Sequence, residues 1–225
     1  MMGEAETQLL PTLLPLGDQG LLVRFATTLS DAANRRVIAL AQVLRARLPE
    51  GVTEFDPNLV SVLLKYDPAR VDFERLAGEL RLLLAMPDEI GTATGQTHHI
   101  AVKFGGAEGP DLESAAEALA LSPEAFIAAH NAGPLRVLTT GFAPGFVYCG
   151  FHPEALRLPR RASVRPSVPP GSVLFAAGQT AIAATPIRTG WHLIGRTDFR
   201  NFDAGATPPT RLQEGDFVAF AAVTP

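Results

Sequence analysis

The sequence predicts an α+β protein in two parts, a small α/β domain over residues 1–93 followed by a β-rich domain over 97–225. Three observations carry this. Apolar residues recur at helical spacing in two stretches of the first part, each preceded by a short apolar run of strand length. Met86 to Thr97 is dense in Pro, Gly and Thr, the composition of a linker. From Leu135 onward the apolar runs are short and punctuated by Gly and Pro, the texture of a barrel or sandwich.

Taken in order, Leu21 to Phe25 reads as a strand. Ser30 then offers an N-cap to a helix whose stripe is Val37, Leu40, Ala41, Leu44 and Leu48. Leu59 to Leu64 is a strand closed by the Tyr66-Asp67-Pro68 turn, and Asp72 to Leu84 is a second amphipathic helix. In the second part His98 to Phe104 reads as a strand, followed by two short helices. Ser122-Pro123-Glu124 starts the later one, with a capping residue before a proline at the first helical position. Further strands are expected at 136–140, 173–177, 181–184, 191–195 and 217–222.

Charge narrows the partners. Residues 1–96 carry 9 Lys/Arg against 13 Asp/Glu, whereas 136–200 carry 8 Arg against only Glu154 and Asp198. Such a local guanidinium excess points to a small anion, carboxylate or phosphate. From composition alone, scattered and solvated loop arginines are the favoured account. Nucleic acid is excluded by the absence of an extended basic face with interleaved aromatics. Residues 1–16 have no basic start and hold Pro11 and Pro15, unlike a secretory signal. Residues 166–187 are uncharged, but they hold four prolines and two glycines, which a membrane-spanning helix could not absorb. One cysteine, Cys149, rules out an intrachain disulfide and suits a cytoplasmic location.

Several chemistries drop out. Gly145 and Gly150 have the spacing of a phosphate-binding loop, but Phe151-His152 stands where Lys-Ser/Thr is required. There is no nucleophile elbow and no dinucleotide fingerprint. His98 and His99 are adjacent on a strand and face opposite ways, and the other histidines lack metal-ligand spacing, so no metal is expected. Cys149 reads as a small buried hydrophobe.

Three segments remain. Gly141-Phe142-Ala143-Pro144-Gly145-Phe146-Val147-Tyr148-Cys149-Gly150 reads as a rigid loop with aromatic walls, a pocket lip. Pro159-Arg160-Arg161 through Arg165 to Val168-Pro169-Pro170-Gly171-Ser172-Val173 presents guanidinium groups from proline-rich chain. Gly178-Gln179-Thr180 and Gly190-Trp191-His192-Leu193-Ile194-Gly195-Arg196-Thr197 complete the set. In order and spacing these segments resemble the family that contains the B subunit of 5-oxoprolinase (PxpB), the kinase inhibitor KipI and allophanate hydrolase subunit 1. Gly17-Asp18, Tyr66-Asp67-Pro68 and His130 add to the resemblance, which spans almost the whole chain.

The resemblance implies a small α/β domain followed by a cyclophilin-like β barrel. It implies a hetero-oligomer with a subunit 2/C homologue (PxpC-like), and a third subunit (PxpA-like) that helps complete hydrolysis. The implied reaction is ATP-dependent opening of 5-oxoproline to glutamate, with ATP and magnesium engaged in the complex and no tightly bound cofactor. His130 is then expected as general acid/base or orienting group, and Arg160, Arg165 and Arg196 as anion contacts. Gln179 and Thr180 would contact substrate, and Phe142, Pro144, Gly145, Phe146 and Tyr148 would form the pocket loop.

A structural reading stands beside each role: a satisfied helix-end histidine for His130, an ion pair for Arg196, and a core position for Trp191. The chain also departs from the family pattern, with Ala181, Ala183-Ala184 and Ile187-Arg188-Thr189 after Gly178-Gln179-Thr180, Ser167 for an arginine, and Arg161 for a leucine. These changes admit another lactam or amide as substrate. The alternative function is KipI-like inhibition of a sensor histidine kinase; prolyl isomerisation, argued from the barrel alone, ranks last.

Overall fold

The computed structural model describes residues 11–85 and 95–223. It divides into two compact units, Met1–Ala93 and Thr94–Pro225. The expected linker falls mostly on residues 86–94, outside the described residues.

The first unit is a four-stranded antiparallel sheet with two helices. Its strands are β1 (Thr12–Leu16), β2 (Gly20–Arg24), β3 (Val52–Pro57) and β4 (Ser61–Tyr66), in the order β1-β2-β4-β3. Helix α1 (Asp31–Ala46) starts where the Ser30 hydroxyl accepts the Ala33 N–H, and α2 (Phe73–Leu84) where Asp72 accepts from Arg75 N–H. Val37, Leu40, Ala41 and Leu44 of α1 and Leu76, Ala77 and Leu80 of α2 are buried, most of them in one cluster with Leu21, Val23, Val62 and Leu64. Leu48 is not part of that stripe: α1 ends at Ala46 and Leu48 is exposed. The sequence pattern also misses β1 and β3. Both are edge strands that carry a proline, Pro15 and Pro57, which an edge tolerates and a central strand does not.

The second unit is a closed seven-stranded barrel. Its strands are β5 (Thr97–Phe104), β6 (Leu135–Thr140), β7 (Val147–Gly150), β9 (Ser172–Ala176), β10 (Gln179–Ile182), β12 (His192–Arg196) and β13 (Phe217–Ala222). They close in the order β10-β7-β6-β13-β5-β12-β9, with β9 pairing back to β10. All these pairings are antiparallel except β5 with β13. Alternation places Val102, Val137, Val147, Cys149, Val173, Phe175, Ile182, Ile194 and Phe220 in one buried cluster. Helices α3 (Leu112–Ala118) and α4 (Pro123–His130) add Leu112, Ala115 and Phe126 to that cluster. As the sequence indicates, α4 is capped by Ser122 with Pro123 in its first turn.

A two-stranded ribbon, β8 (Arg165–Val168) with β11 (Ile187–Thr189), lies beside the barrel. Its Val168 and Ile187 pack with Phe146, Leu174, Ala181, Trp191 and Leu193, residues in or next to β7, β9, β10 and β12 that form a second cluster apart from the lumen. Segments expected as loops thus include strand: residues 147–150, 165–168 and 179–180 all pair. Gly and Pro density hides them, because the strands are only four residues long.

Candidate functional site

Strand β10 turns Thr180 into the barrel lumen, paired with Cys149 and Phe175. The last residue of α4, His130, and His152, two residues past β7, both reach it. His130 Nε2 and His152 Nε2 each lie 2.8 Å from Thr180 Oγ1. The ring centroids are 4.8 Å apart. His130 Nδ1 is 2.7 Å from Asn131 Oδ1. Phe104, Phe126, Phe175 and Phe220 surround His130, and Phe175 also meets His152.

Exposure grades along this chain of contacts. Thr180 is 0% exposed, His130 1% and His152 9%. Burial lowers the His130 pKa to about 4, opposed by its bond to Asn131. Burial, reinforced by the nearby His130, lowers that of His152 to about 3. Both rings are therefore neutral at pH 7.

Neutral rings and a single hydroxyl proton fix the direction of the bonds. With Asn131 presenting its oxygen, His130 carries its proton on Nδ1 and donates it there, so His130 Nε2 accepts. Thr180 then donates to His130 Nε2 and accepts from His152 Nε2–H. That leaves His152 Nδ1 as a lone pair with no protein partner among the described residues. The hydroxyl–histidine–amide arrangement resembles that of an activated nucleophile. Full burial of Thr180 Oγ1 bars an electrophile from reaching it, so the arrangement suits proton transfer through His152 instead.

The sequence singles out His130 and Thr180 but not His152, whose ring meets a residue 28 positions on. Beside Gly150-Phe151, His152 serves in the sequence only to reject a phosphate loop.

The arginines do not share one anion site. Arg165 donates to both Asp111 oxygens, at 2.9 and 3.0 Å, and Arg161 donates to Asp111 Oδ1. Leu193 N–H adds a third donor at 2.8 Å. Burial alone would raise the Asp111 pKa, but the Leu193 bond and the two guanidinium groups outweigh it and hold the carboxyl below its ordinary value. This cluster ties the ribbon to the start of α3 and to β12. Arg196 faces Glu108 at 3.3 Å, an ion pair at the barrel edge. Arg160 alone of the three expected anion contacts lies with the pocket loop, its guanidinium carbon 5.9 Å from the centre of the Trp191 ring.

The loop residues form a ladder on the outer side of β7. Ring centroids step from Phe142 to Phe146 (5.4 Å), to Tyr148 (4.8 Å) and to Trp191 (5.9 Å). Trp191 is 6% exposed, a core position, while Phe142 at the tip is 73% exposed. Gly145 cannot be another residue: its φ is +68°, and a Cβ would sit 2.5 Å from Phe202 Cβ. Buried Asn201 clamps the loop, donating to Gly145 O at 2.9 Å and accepting from Leu212 N–H at 2.9 Å. Gln179 lies on the same side of the strands as Tyr148 and is 5% exposed, and its Nε2 has no partner among the described residues. Cys149 is fully buried, which pushes its thiol up to about 12 and keeps it protonated. Among the described residues no group of three His, Cys, Asp or Glu side chains converges as metal ligands, and no helix is long and apolar enough to cross a membrane.

Comparison with known proteins agrees with this architecture. The model for "Carboxyltransferase domain, subdomain C and D" matches residues 11–212. The 5-oxoprolinase B subunit of Bacillus subtilis (strain 168) is 34% identical over 219 residues, covering 93% of this chain and 91% of its own. That of Escherichia coli O157:H7 is 33% identical over 209 residues, covering 91% and 93%. Of solved structures, TTHA0988 superposes with a TM-score of 0.79 at 36% identity. The match covers 92% of this chain and 40% of TTHA0988, so this chain spans about two fifths of that protein. The Kluyveromyces lactis urea amidolyase shares the fold, with a TM-score of 0.70 at 18% identity over 95% of this chain and 15% of its own. The chain belongs to the carboxyltransferase-domain subdomain C and D family, which includes the 5-oxoprolinase B subunits.

Proposed function

We propose that this chain is a subunit of an ATP-dependent cyclic-amide hydrolase that opens 5-oxoproline to glutamate in the cytoplasm. It acts with a subunit 2/C homologue and a third subunit, and is inactive alone. The names of its relatives support the subunit assignment. The observation that carries the chemistry is the neutral chain from His152 through Thr180 to His130.

Opening an unstrained lactam is uphill, and ATP with magnesium would supply the driving force by phosphorylating the amide. Water must then lose a proton, the ring nitrogen must gain one as the C–N bond breaks, and a second water would release the phosphoryl group of the resulting acyl phosphate as inorganic phosphate. His152 Nδ1 takes the first proton. Its Nε2 proton shifts to Thr180, whose own proton shifts to His130 Nε2. The resulting imidazolium is buried among phenylalanines, which disfavours it, so the proton returns readily along the same path to the leaving nitrogen.

The test is co-expression with the subunit 2/C homologue, adding the third subunit in a parallel sample. ATP hydrolysis stimulated by 5-oxoproline, with glutamate formed, is the expected outcome, and His152→Gln should lower it at least tenfold. A complex without stimulation would assign the chain to another lactam or amide. No complex at all would turn the reading to kinase inhibition.

A further inference from the structure

We propose that Ser163 is a phosphorylation site for a kinase that reads arginines N-terminal to its serine, and that the phosphate draws Arg161 away from Asp111.

Two arginines and an apolar residue frame the serine. Arg160-Arg161-Ala162-Ser163-Val164 sets guanidinium groups three and two residues before Ser163 and an apolar side chain directly after it. A kinase cleft with acidic subsites on one side of the acceptor and an apolar subsite on the other selects that order. Ser163 is exposed, and Val164 is 50% exposed. Residues 159–164 lie outside helix and strand, held by Arg161 N–H donating to Gly190 O at 2.8 Å and by His192 Nε2 at 3.0 Å from Pro159 O. Arg160 has no carboxylate partner among the described residues, so its charge is open to an acidic subsite. Ser167 is exposed too, but it pairs within β8 and has Val164, not an arginine, three residues before it.

Arg161 couples the serine to the Asp111 clasp. One of its terminal nitrogens donates to Asp111 Oδ1 and the other to Ser163 Oγ at 3.3 Å. A phosphate on Ser163 adds close to two negative charges and three acceptor oxygens beside a guanidinium already turned towards it. Asp111 keeps Arg165 and the Leu193 N–H, so Arg161 is the partner it can lose. The phosphate also repels the Asp111 carboxylate across the guanidinium they share. Between 136 and 200 only Glu154 and Asp198 stand against 8 Arg, so the segment accommodates the added negative charge. The β8–β11 ribbon then loses one of the ties that hold it to the start of α3. In the transfer the Ser163 oxygen bonds to the γ-phosphorus of ATP as that phosphorus parts from the bridging oxygen of ADP, and the hydroxyl proton passes to the kinase's base.

The experiment treats the full chain with magnesium ATP and the catalytic subunit of cAMP-dependent protein kinase, which has this preference, and maps phosphopeptides by mass spectrometry. Phosphate on Ser163 and none on Ser167 is expected. Ser163→Ala should remove it, and Arg160→Gln should slow it about tenfold or more, in line with loss of a charge-assisted bond. Both side chains are exposed, so both variants should keep the near-ultraviolet dichroism of the wild type. Hydrogen exchange then compares phosphorylated with untreated protein. Amides of 165–168 and 187–189 should exchange about fivefold faster after phosphorylation, the effect of losing one partly exposed ion pair. An unmodified Ser163, or labelling undiminished by Arg160→Gln, would overturn the site. A phosphorylated Ser163 with ribbon protection unchanged or raised would overturn the release of Arg161.

Discussion

Replacing Thr180 by valine tests the buried bridge with one atom changed. Valine keeps the shape and removes the hydroxyl, the atom that both His130 Nε2 and His152 Nε2 reach. One acceptor and one donor are then stranded where exposure is 1% and 9%. Each buried polar group left without a partner costs about 1–3 kcal/mol. The added methyl replaces an oxygen of similar size, so packing contributes little. The expected loss is about 2–6 kcal/mol, read as a lower urea midpoint at unchanged slope. Thr180→Ser keeps the hydroxyl and should retain most of the stability. Ile182→Val, on the same strand and also buried, calibrates a purely apolar change at about 0.5–1.5 kcal/mol. A Thr180→Val protein as stable as the wild type, with unchanged activity in the complex, would refute the reasoning that the hydroxyl links the two rings.

Three further outcomes follow from the same contacts. Both histidines have folded pKa values below the usual 6.5, so the unfolded chain binds more protons in between and stability rises with pH. Their contribution is complete above about pH 6.5 and is lost as pH falls towards 4 and then 3; His130→Gln should flatten the pH 6.5–4 limb of a denaturation series. Asp111→Asn removes the carboxylate shared by Arg161 and Arg165 and should cost about 1–3 kcal/mol, discounted because both guanidinium groups are partly exposed. Hydrogen exchange should show the ribbon opening in that variant, and equal protection would contradict the clasp. Asn201→Ala strips the partners of Gly145 O and Leu212 N–H and should cost about 1–3 kcal/mol, with faster exchange at the 141–146 loop.

Much of the architecture is legible from periodicity alone. Val37, Leu40, Ala41 and Leu44 announce α1, and Ser122-Pro123 announces α4, because capping and amphipathy are local. β7, β8 and β11 are not legible, since three or four residues beside Gly and Pro leave no alternation to count. The site divides the same way. His130 is singled out through a family resemblance, and its bond to Asn131 is local. Its bond to Thr180 spans 50 residues and that of His152 spans 28, so no spacing rule could join them. Arg165 shows the converse failure. Its surplus charge is visible in the sequence, but the carboxylate that neutralises it, Asp111, stands 54 residues upstream beyond two helices.

The most direct test of the account is the protonation pattern of the two buried rings. Nitrogen-15 NMR of histidine-labelled protein at pH 7 reads tautomer and charge at each ring nitrogen. Two neutral rings of opposite tautomer are expected, His130 protonated at Nδ1 and His152 at Nε2, with no change down to about pH 5. Two rings of the same tautomer, or a charged ring at pH 7, would contradict the relay.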